Sequence, residues 1–407
     1  MPDALFVHNG TSGRFRSIAH GLVERGWRCA LINGKGGADL PGVRTVAWSI
    51  DRGNTPGIFR PAIRAEGDFL RGRGAAEAAL KLRAEGFDPR VIIGHPAWGE
   101  MLFLAEVFPD ARQVQVGEFY YRATGSDADF DPEFGTPDMD ERVRIHAKNA
   151  ALAMSYAAAE RIVCPTPFQA SFLPPAFQSR IRIIHEGIDT AVARPRQGLR
   201  LTLGGDLHLE AGAPVITFVN RVFEPMRGFH RFMRALPAVL GAVPDAQVIM
   251  IGTDAGKGYG PSPPPGRTWR QVMQEELAGR LDSTRVHFVG KLSYEQLLAA
   301  LSISSAHVYM TYPFVLSWSL LDAMACECLV VGSDTAPVRD VIVPDENGLL
   351  VDFFDTGALS DALIQACRDP ARFTTLRKAA RETVLREFDR RTVCDPAWQA
   401  LVDEVAA

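Results

Sequence analysis

No stretch of this 407-residue sequence supplies the roughly 20 uninterrupted apolar residues that a helix needs to cross a bilayer. The one segment that approaches it, with no Asp, Glu, Lys or Arg between Glu295 and Asp322, is broken by His307, Pro313 and several serines, so burial in a protein core is expected instead. The opening "MPDALFVHNG" lacks the basic start and long apolar run of a secretory signal. A cytoplasmic location follows as the expectation, with at most peripheral membrane contact at the inner face. Cysteines are few and scattered: Cys29, Cys164, Cys326, Cys328, Cys367 and Cys394 contain no C-x-x-C pair. Buried thiols are expected, rather than disulfides or a zinc site. An excess of one charge is also missing. With 44 basic and 48 acidic residues the formal net charge is -4, which offers no general attraction to nucleic acid or anionic lipid. An anionic ligand must then be held by local groups, and a small-molecule site is expected, without a nucleic-acid partner.

What is present is a regular alternation. Short β-rich runs, "ALFVH", "CALIN", "VIIGH", "QVQVG", "RIVCP" and "IRIIH", alternate with helix-length segments, and "VITFV", "QVIMI", "VHFVG", "HVYMT" and "CLVVG" continue the series. Continuous Val/Ile runs separated in this way indicate parallel strands covered on both faces, hence a doubly wound α/β protein. The Gly- and Pro-rich stretch from Arg194 to Pro214 reads as a linker between two Rossmann-like halves, 1–195 and 200–387. Within the uncharged segment, "AHVYM" is expected as a strand. Pro313 interrupts the chain, and "VLSWSLLDAMA" is expected as a helix packing Val315, Leu316, Ser319, Leu320 and Met324. Burial leaves Asp322 unexplained.

In open α/β sheets chemistry collects beyond the carboxyl ends of the strands. After "ALFVH" comes Asn9-Gly10-Thr11-Ser12-Gly13 and then a helical pattern, which suits a phosphate loop or a plain tight turn; the full G-x-G-x-x-G signature is absent. After "VITFV" comes "NRVFEPMRGFHRF", with Arg221 at the strand end and Arg227 before Gly228. Two permanently charged, forked guanidiniums in such a loop suit a diphosphate.

The order of "NRVFEPMRG", "VIMIGTD", "VHFVGKLSYEQLLAAL" and "LLDAMACECLVVGSDTAPVRDVIVPDENGLLVD" resembles the C-terminal domain of retaining GT-B glycosyltransferases of family four. "IRIIHEGID" is similar to the stretch before that family's interdomain crossing. The resemblance implies two Rossmann-like domains facing a cleft, with an N-terminal acceptor domain and a C-terminal donor domain. A final helix from about residue 388 would cross back to the first domain. It also implies that Arg221 and Arg227 hold the donor diphosphate, with Arg227 where Lys is usual. Gly290 and Lys291 would lie by the nucleotide base, and Asp322 would take the place of the second acid of an E-x7-E motif at the ribose. The first acid is replaced by Phe314, and Glu327 replaces a common glycine. The amides of Val315, Leu316 and Ser317, with Gly13, complete the donor-binding set. His95 is the implied residue near the transferred sugar, and Glu118, Tyr120 and Tyr121 are candidates for the acceptor pocket.

The function so implied is retaining transfer of a sugar from a UDP- or GDP-sugar to a sugar, lipid-linked or small-molecule acceptor, without metal or other cofactor. The departing phosphate would take the acceptor proton. A nucleotide-sugar epimerase, a phosphorylase and a silent nucleotide-sugar binding protein stay open beside it. Asp127, Asp129 and Asp131 imitate the start of a calcium loop, but Pro132 stands where Gly is required, so the acidic segment 125–141 is expected as a loop over the acceptor cleft. The mildly basic stretch from Arg60 to Arg83 contains acids that dilute it, as in a solvated helix face.

Overall fold

The computed structural model describes residues 1–10, 13–34, 40–196, 198–203 and 207–407. The chain forms two compact units. Unit one comprises Met1–Gly125, Thr136–Glu186 and Arg391–Ala407, and unit two comprises Ser126–Gly135 and Gly187–Arg390.

Unit one is built on seven strands: β1 (Asp3–His8), β2 (Arg28–Asn33), β3 (Val43–Ala47), β4 (Pro89–Gly94), β5 (Arg112–Val116), β6 (Arg161–Cys164) and β7 (Ile181–Ile183). All neighbouring pairs are parallel, in the order β3-β2-β1-β4-β5-β6-β7. The central strands are largely apolar because helices cover both faces, with Asn33, Gln113 and Gln115 among the buried polar exceptions. β3 was not anticipated: as an edge strand with Arg44 and Thr45 in its middle it buries only Val46, and its alternating pattern is weak. The final helix Asp395–Ala406 belongs to this unit. It buries Trp398, Leu401, Val402 and Val405 against Phe6, Phe15 and Leu22, and Ser17 Oγ donates to Asp395 at 2.7 Å. The helix Ile63–Ala84 carries the basic stretch, and its charges are met locally: Arg64 and Arg71 pair with buried Asp68, and Arg73 pairs with Glu77.

Unit two carries a six-stranded parallel sheet with the order β12-β11-β10-β13-β14-β15, preceded by an antiparallel hairpin of β8 (Arg200–Leu203) and β9 (Leu207–Glu210). The sheet strands are β10 (Val215–Val222), β11 (Gln247–Thr253), β12 (Val286–Gly290), β13 (Ala306–Tyr309), β14 (Val330–Ser333) and β15 (Leu349–Val351). The hairpin corrects the linker reading of Arg194–Pro214. Leu201, Leu203 and Leu209 are buried with Val215, Ile249 and Ile251, so the segment is part of the core, and the chain crosses between units at Glu186/Gly187. The leucines at alternate positions are a period-two signal that the Gly/Pro content masked.

The uncharged segment is core, as expected. β13 is buried, and the helix Trp318–Ala325 buries Ser319 to Ala325. Among the described residues no helix is long and apolar enough to cross a membrane. All six cysteines are free thiols. The unexplained Glu327 finds its reason at the end of this helix. Its φ is +56°, its N–H donates to the Met324 carbonyl at 3.1 Å, and the next N–H, of Cys328, reaches Ala323 at 2.9 Å. This is a Schellman stop, whose left-handed residue is usually glycine. Glu327→Gly is therefore expected to raise stability by about 0.5–1 kcal/mol, read as a higher urea midpoint with an unchanged slope.

Candidate functional site

In each sheet the strand order reverses once, and loops diverge there to leave a crevice beyond the carboxyl ends. In unit two the reversal lies between β10 and β13, in unit one between β1 and β4. The candidate residues gather at these two places.

In unit two, β10 slips register between Val219 and Val222, and this irregularity carries Arg221. Its side chain is exposed. The guanidinium lies 4.6 Å from the Tyr259 ring centre and donates weakly to the Lys257 carbonyl at 3.4 Å, and it has no carboxylate partner among the described residues. Arg227 ends the short turn Pro225–Arg227 and is buried. Its Nη1 donates to Thr311 Oγ1 at 3.0 Å and to the Val315 carbonyl at 2.8 Å, which ties the loop after β10 to the loop after β13. Gly228, at φ +70°, makes this possible: a Cβ there would stand 2.1 Å from Met310 Cβ. The Arg227 guanidinium also sits 5.6 Å from the Phe314 ring, and Phe314 lies 5.3 Å from Tyr259. Phe314, where an acid was expected, thus forms with Tyr259 an aromatic pair linking the two arginines. Glu224 holds the Tyr259 loop by accepting from the N–H groups of Tyr259 and Gly260 at 2.7 and 2.9 Å.

The amide row needs correction. The helix begins at Trp318, so Val315 to Ser317 lie in the preceding loop, and the Ser317 N–H donates to the Tyr309 hydroxyl at 2.7 Å. Of the expected row only the amides of Val315 and Leu316 are left for a ligand. The helix thus starts three residues after the expected Val315. Gly290 ends β12 at φ +71°, followed by exposed Lys291. Asp322 is buried and accepts from the Tyr294 hydroxyl at 2.8 Å. Burial raises its pKa to about 6, against the opposing hydrogen bond from Tyr294.

Gly13 lies in unit one, and a Cβ on it would meet nothing within 4 Å, so the loop does not require glycine there. Thr11 and Ser12 of the same loop lie outside the described residues. The next residue, Arg14, is the one the sequence reading missed. Its Nη2 donates to Glu118 Oε1 at 2.7 Å and its Nη1 pairs closely with Glu186. The candidate phosphate loop therefore carries a cation already neutralised by two acids.

Around that cation stand three histidines. His8 ends β1 and His95 follows β4; the two strands pair at Val7 and Gly94, and the rings lie 5.9 Å apart. Trp98 packs on both, at 5.4 Å from His8 and 4.9 Å from His95. His95 is buried, and its Nδ1 accepts from the Ala97 N–H at 3.3 Å. In the neutral ring the proton therefore sits on Nε2, which lies 3.3 Å from Glu118 Oε2 without hydrogen-bond alignment. Burial, then His95 and Arg14, lower the pKa of His8 to about 4, and burial lowers that of His185 beside Glu186. For Glu118 and Glu186 burial, the largest influence, would raise the pKa, yet Arg14 together with His95 at Glu118, and with His185 at Glu186, outweighs it, and both are held below the usual carboxylate range. Glu118 is thus locked in an ion pair rather than open to a ligand on all sides. Tyr120 and Tyr121 pack against the cluster of Leu152, Tyr156 and Leu173, and the Tyr121 backbone exchanges two hydrogen bonds with Asn149, which gives them a packing role.

The acidic segment departs from expectation as well. Ser126–Gly135 is part of unit two, not a loop over the acceptor side. Asp131 is buried and accepts from His230 at 3.0 Å, Tyr312 at 2.9 Å and Arg231 at 3.1 Å, while Glu133 pairs with Arg234 at 2.6 Å. Phe130 packs on Tyr312 and Phe353, and Phe134 on His230 and Trp269. Asp131, Glu133 and His230 bring ligand atoms within 4.8 Å of one another, a spacing that could hold a metal, but Arg231 and Arg234 already supply positive charge there. Asp131 is placed instead to fix Tyr312, beside the Thr311 that holds Arg227.

Comparison with known proteins accords with this layout. A family model described as "Glycosyl transferase family 4 group" matches residues 25–193, and one described as "Glycosyl transferases group 1" matches 206–383. Curated relatives include a phosphatidyl-myo-inositol mannosyltransferase of Propionibacterium freudenreichii, 29% identical over 39% of this chain and 36% of that protein. A D-inositol 3-phosphate glycosyltransferase of a Nocardioides species is 25% identical over 53% and 47%, and an alpha-maltose-1-phosphate synthase of Mycolicibacterium smegmatis is 26% identical over 57% of each. The matches span about a third to just over half the length of these relatives. Among solved structures, sucrose-phosphate synthase from Thermosynechococcus elongatus aligns over 100% of both chains with a TM-score of 0.73 and 18% identity. Anabaena HepE in complex with UDP and glucose aligns over 99% of this chain and 100% of its own, with a TM-score of 0.66 and 14% identity. These likenesses establish the fold.

Proposed function

The chain belongs to the GT-B glycosyltransferases of group 1, and from that premise we propose that it transfers a hexosyl group from a nucleoside diphosphate sugar to a hydroxyl acceptor. The observation that carries the reading is Arg221: an exposed guanidinium at the switch point of unit two, without an acidic partner among the described residues. Cleavage of the sugar–phosphate bond loads negative charge onto the departing diphosphate, and a fixed cation that meets that charge lowers the barrier. Arg227 and the amides of Val315 and Leu316 supply further positive potential from the loop after β13. Arg227 uses one nitrogen, Nη1, to hold that loop, which presets its position. Gly290, Lys291 and Asp322 are assigned to the nucleoside. HepE, whose structure was solved with UDP and glucose, shares the fold.

On unit one, His95 is assigned to the acceptor. Its Nε2–H can donate to a sugar oxygen, with the Ala97 N–H at Nδ1 and the Trp98 ring holding the imidazole. The charge on the leaving group is met by arginine in this scheme, so it requires no metal. Retention of configuration and departure of the acceptor proton to the leaving phosphate complete the proposal.

The test is a thermal-shift panel of UDP- and GDP-sugars. A donor at a hundred times its dissociation constant is expected to stabilise the fold by about 2.7 kcal/mol, and addition of acceptor should release the nucleoside diphosphate. Donor binding with no transfer to any acceptor would support a silent binding protein. Release of an isomerised sugar nucleotide without acceptor would identify an epimerase.

A further inference from the structure

We infer that the acceptor of this enzyme is an uncharged, hydroxyl-rich compound and not a phosphate ester, because the cation available at the acceptor site is cancelled by two acids of the same unit. The inference rests on the assignment of the acceptor to unit one. It narrows that assignment in a direction the relatives do not suggest, since two of them are named for inositol phosphate or phosphatidylinositol.

The carboxyl ends of the unit-one strands bring together His8, Arg14, His95, Glu118, His185 and Glu186. Both terminal nitrogens of Arg14 are committed, Nη2 to Glu118 and Nη1 to Glu186. Burial favours the uncharged ring in His8 and His185, and His95 Nε2 lies 3.3 Å from Glu118 Oε2. Among the described residues of this cluster one guanidinium faces two carboxylates, so each of its terminal nitrogens already meets an acid. A phosphate ester entering here must displace a carboxylate from a desolvated ion pair and then lie beside it, an exchange that gains no charge complementarity. A neutral polyol meets no such opposition. It finds acceptors in the carboxylate oxygens, a donor in His95 Nε2, whose hydrogen bond to Glu118 is not made, and an apolar face in Trp98.

The experiment has two arms. In the first, wild-type protein with its donor is given matched acceptors, myo-inositol against myo-inositol 1-phosphate and glucose against glucose 6-phosphate, and nucleoside diphosphate release is followed. The neutral member is expected to show at least about tenfold higher kcat/KM, corresponding to a factor set by one unfavourable charge contact. A preference for the phosphorylated member overturns the inference. In the second arm, inorganic phosphate is titrated calorimetrically into Arg221→Ala protein, which keeps the unit-two cation from reporting, and into the same protein carrying Glu118→Gln. Freeing one face of Arg14 is expected to strengthen phosphate binding by about tenfold or more, whereas unchanged binding in a folded variant overturns the inference. Glu186→Gln, from the other side of Arg14, serves as the second variant with the same two outcomes. If no acceptor draws out UDP or GDP, the transfer reading fails, and the phosphate titration still decides the charge argument.

Discussion

Arg221→Ala is expected to lower kcat/KM by about 10²- to 10³-fold, the usual effect of deleting one group that stabilises developing negative charge. The fold should be untouched, because the residue is exposed, lies in a strand irregularity and makes only a ring contact with Tyr259 and a long hydrogen bond to Lys257. Circular dichroism and urea unfolding should match the wild type within about 0.5 kcal/mol. If this variant turns over at the wild-type rate, the diphosphate has been assigned to the wrong groups. Arg227→Ala would be a poorer probe. Its loss leaves Thr311 and the Val315 carbonyl without their partner, so a fall in rate would mix lost charge with a displaced loop.

Arg14→Ala should have the largest effect on stability. It leaves Glu118 and Glu186 without their counter-ion, and because Arg14 and Glu118 are only partly buried the loss is expected at about 1–3 kcal/mol. Urea unfolding at pH 7 measures this. The dependence on pH should also reverse. In the wild type both carboxylates titrate below their unfolded values, so their contribution is complete above the ordinary carboxylate range, near pH 4 to 5, and is lost as the pH falls through the folded values. In the variant, burial and mutual repulsion without Arg14 raise these values, so the deficit should shrink as the pH is lowered from 7 toward 5. A variant as stable as the wild type, or a deficit independent of pH, would show that the cluster does not carry the charges assigned to it.

The alternation of continuous apolar runs with helix-length segments was sufficient to identify most parallel strands, because a strand covered on both faces has no solvent side on which to place polar residues. That same pattern located the strand ends, and Arg221, Arg227, His95 and Glu118 could be picked out as residues at or beyond them. The strands it missed were the edge strands β3 and β15 and the hairpin β8–β9, where burial is one-sided or the run is short.

What the sequence could not reveal was who meets whom. Arg14 and Glu118 are 104 residues apart, Asp131 and Tyr312 are 181 apart, and each pairing is brought about by crossovers that local periodicity does not encode. Those pairings decide the chemistry. The same Arg14 would be an anion site alone and is an electrically cancelled one between Glu118 and Glu186, and the acidic segment 126–135 is a brace on unit two instead of a free loop. Residue type and burial period determined the folds of the two sheets and the places where a ligand can enter. Only the three-dimensional fold determined which charges remain available there, since the energy of a charge depends on its neighbours and its access to water rather than on its position along the chain.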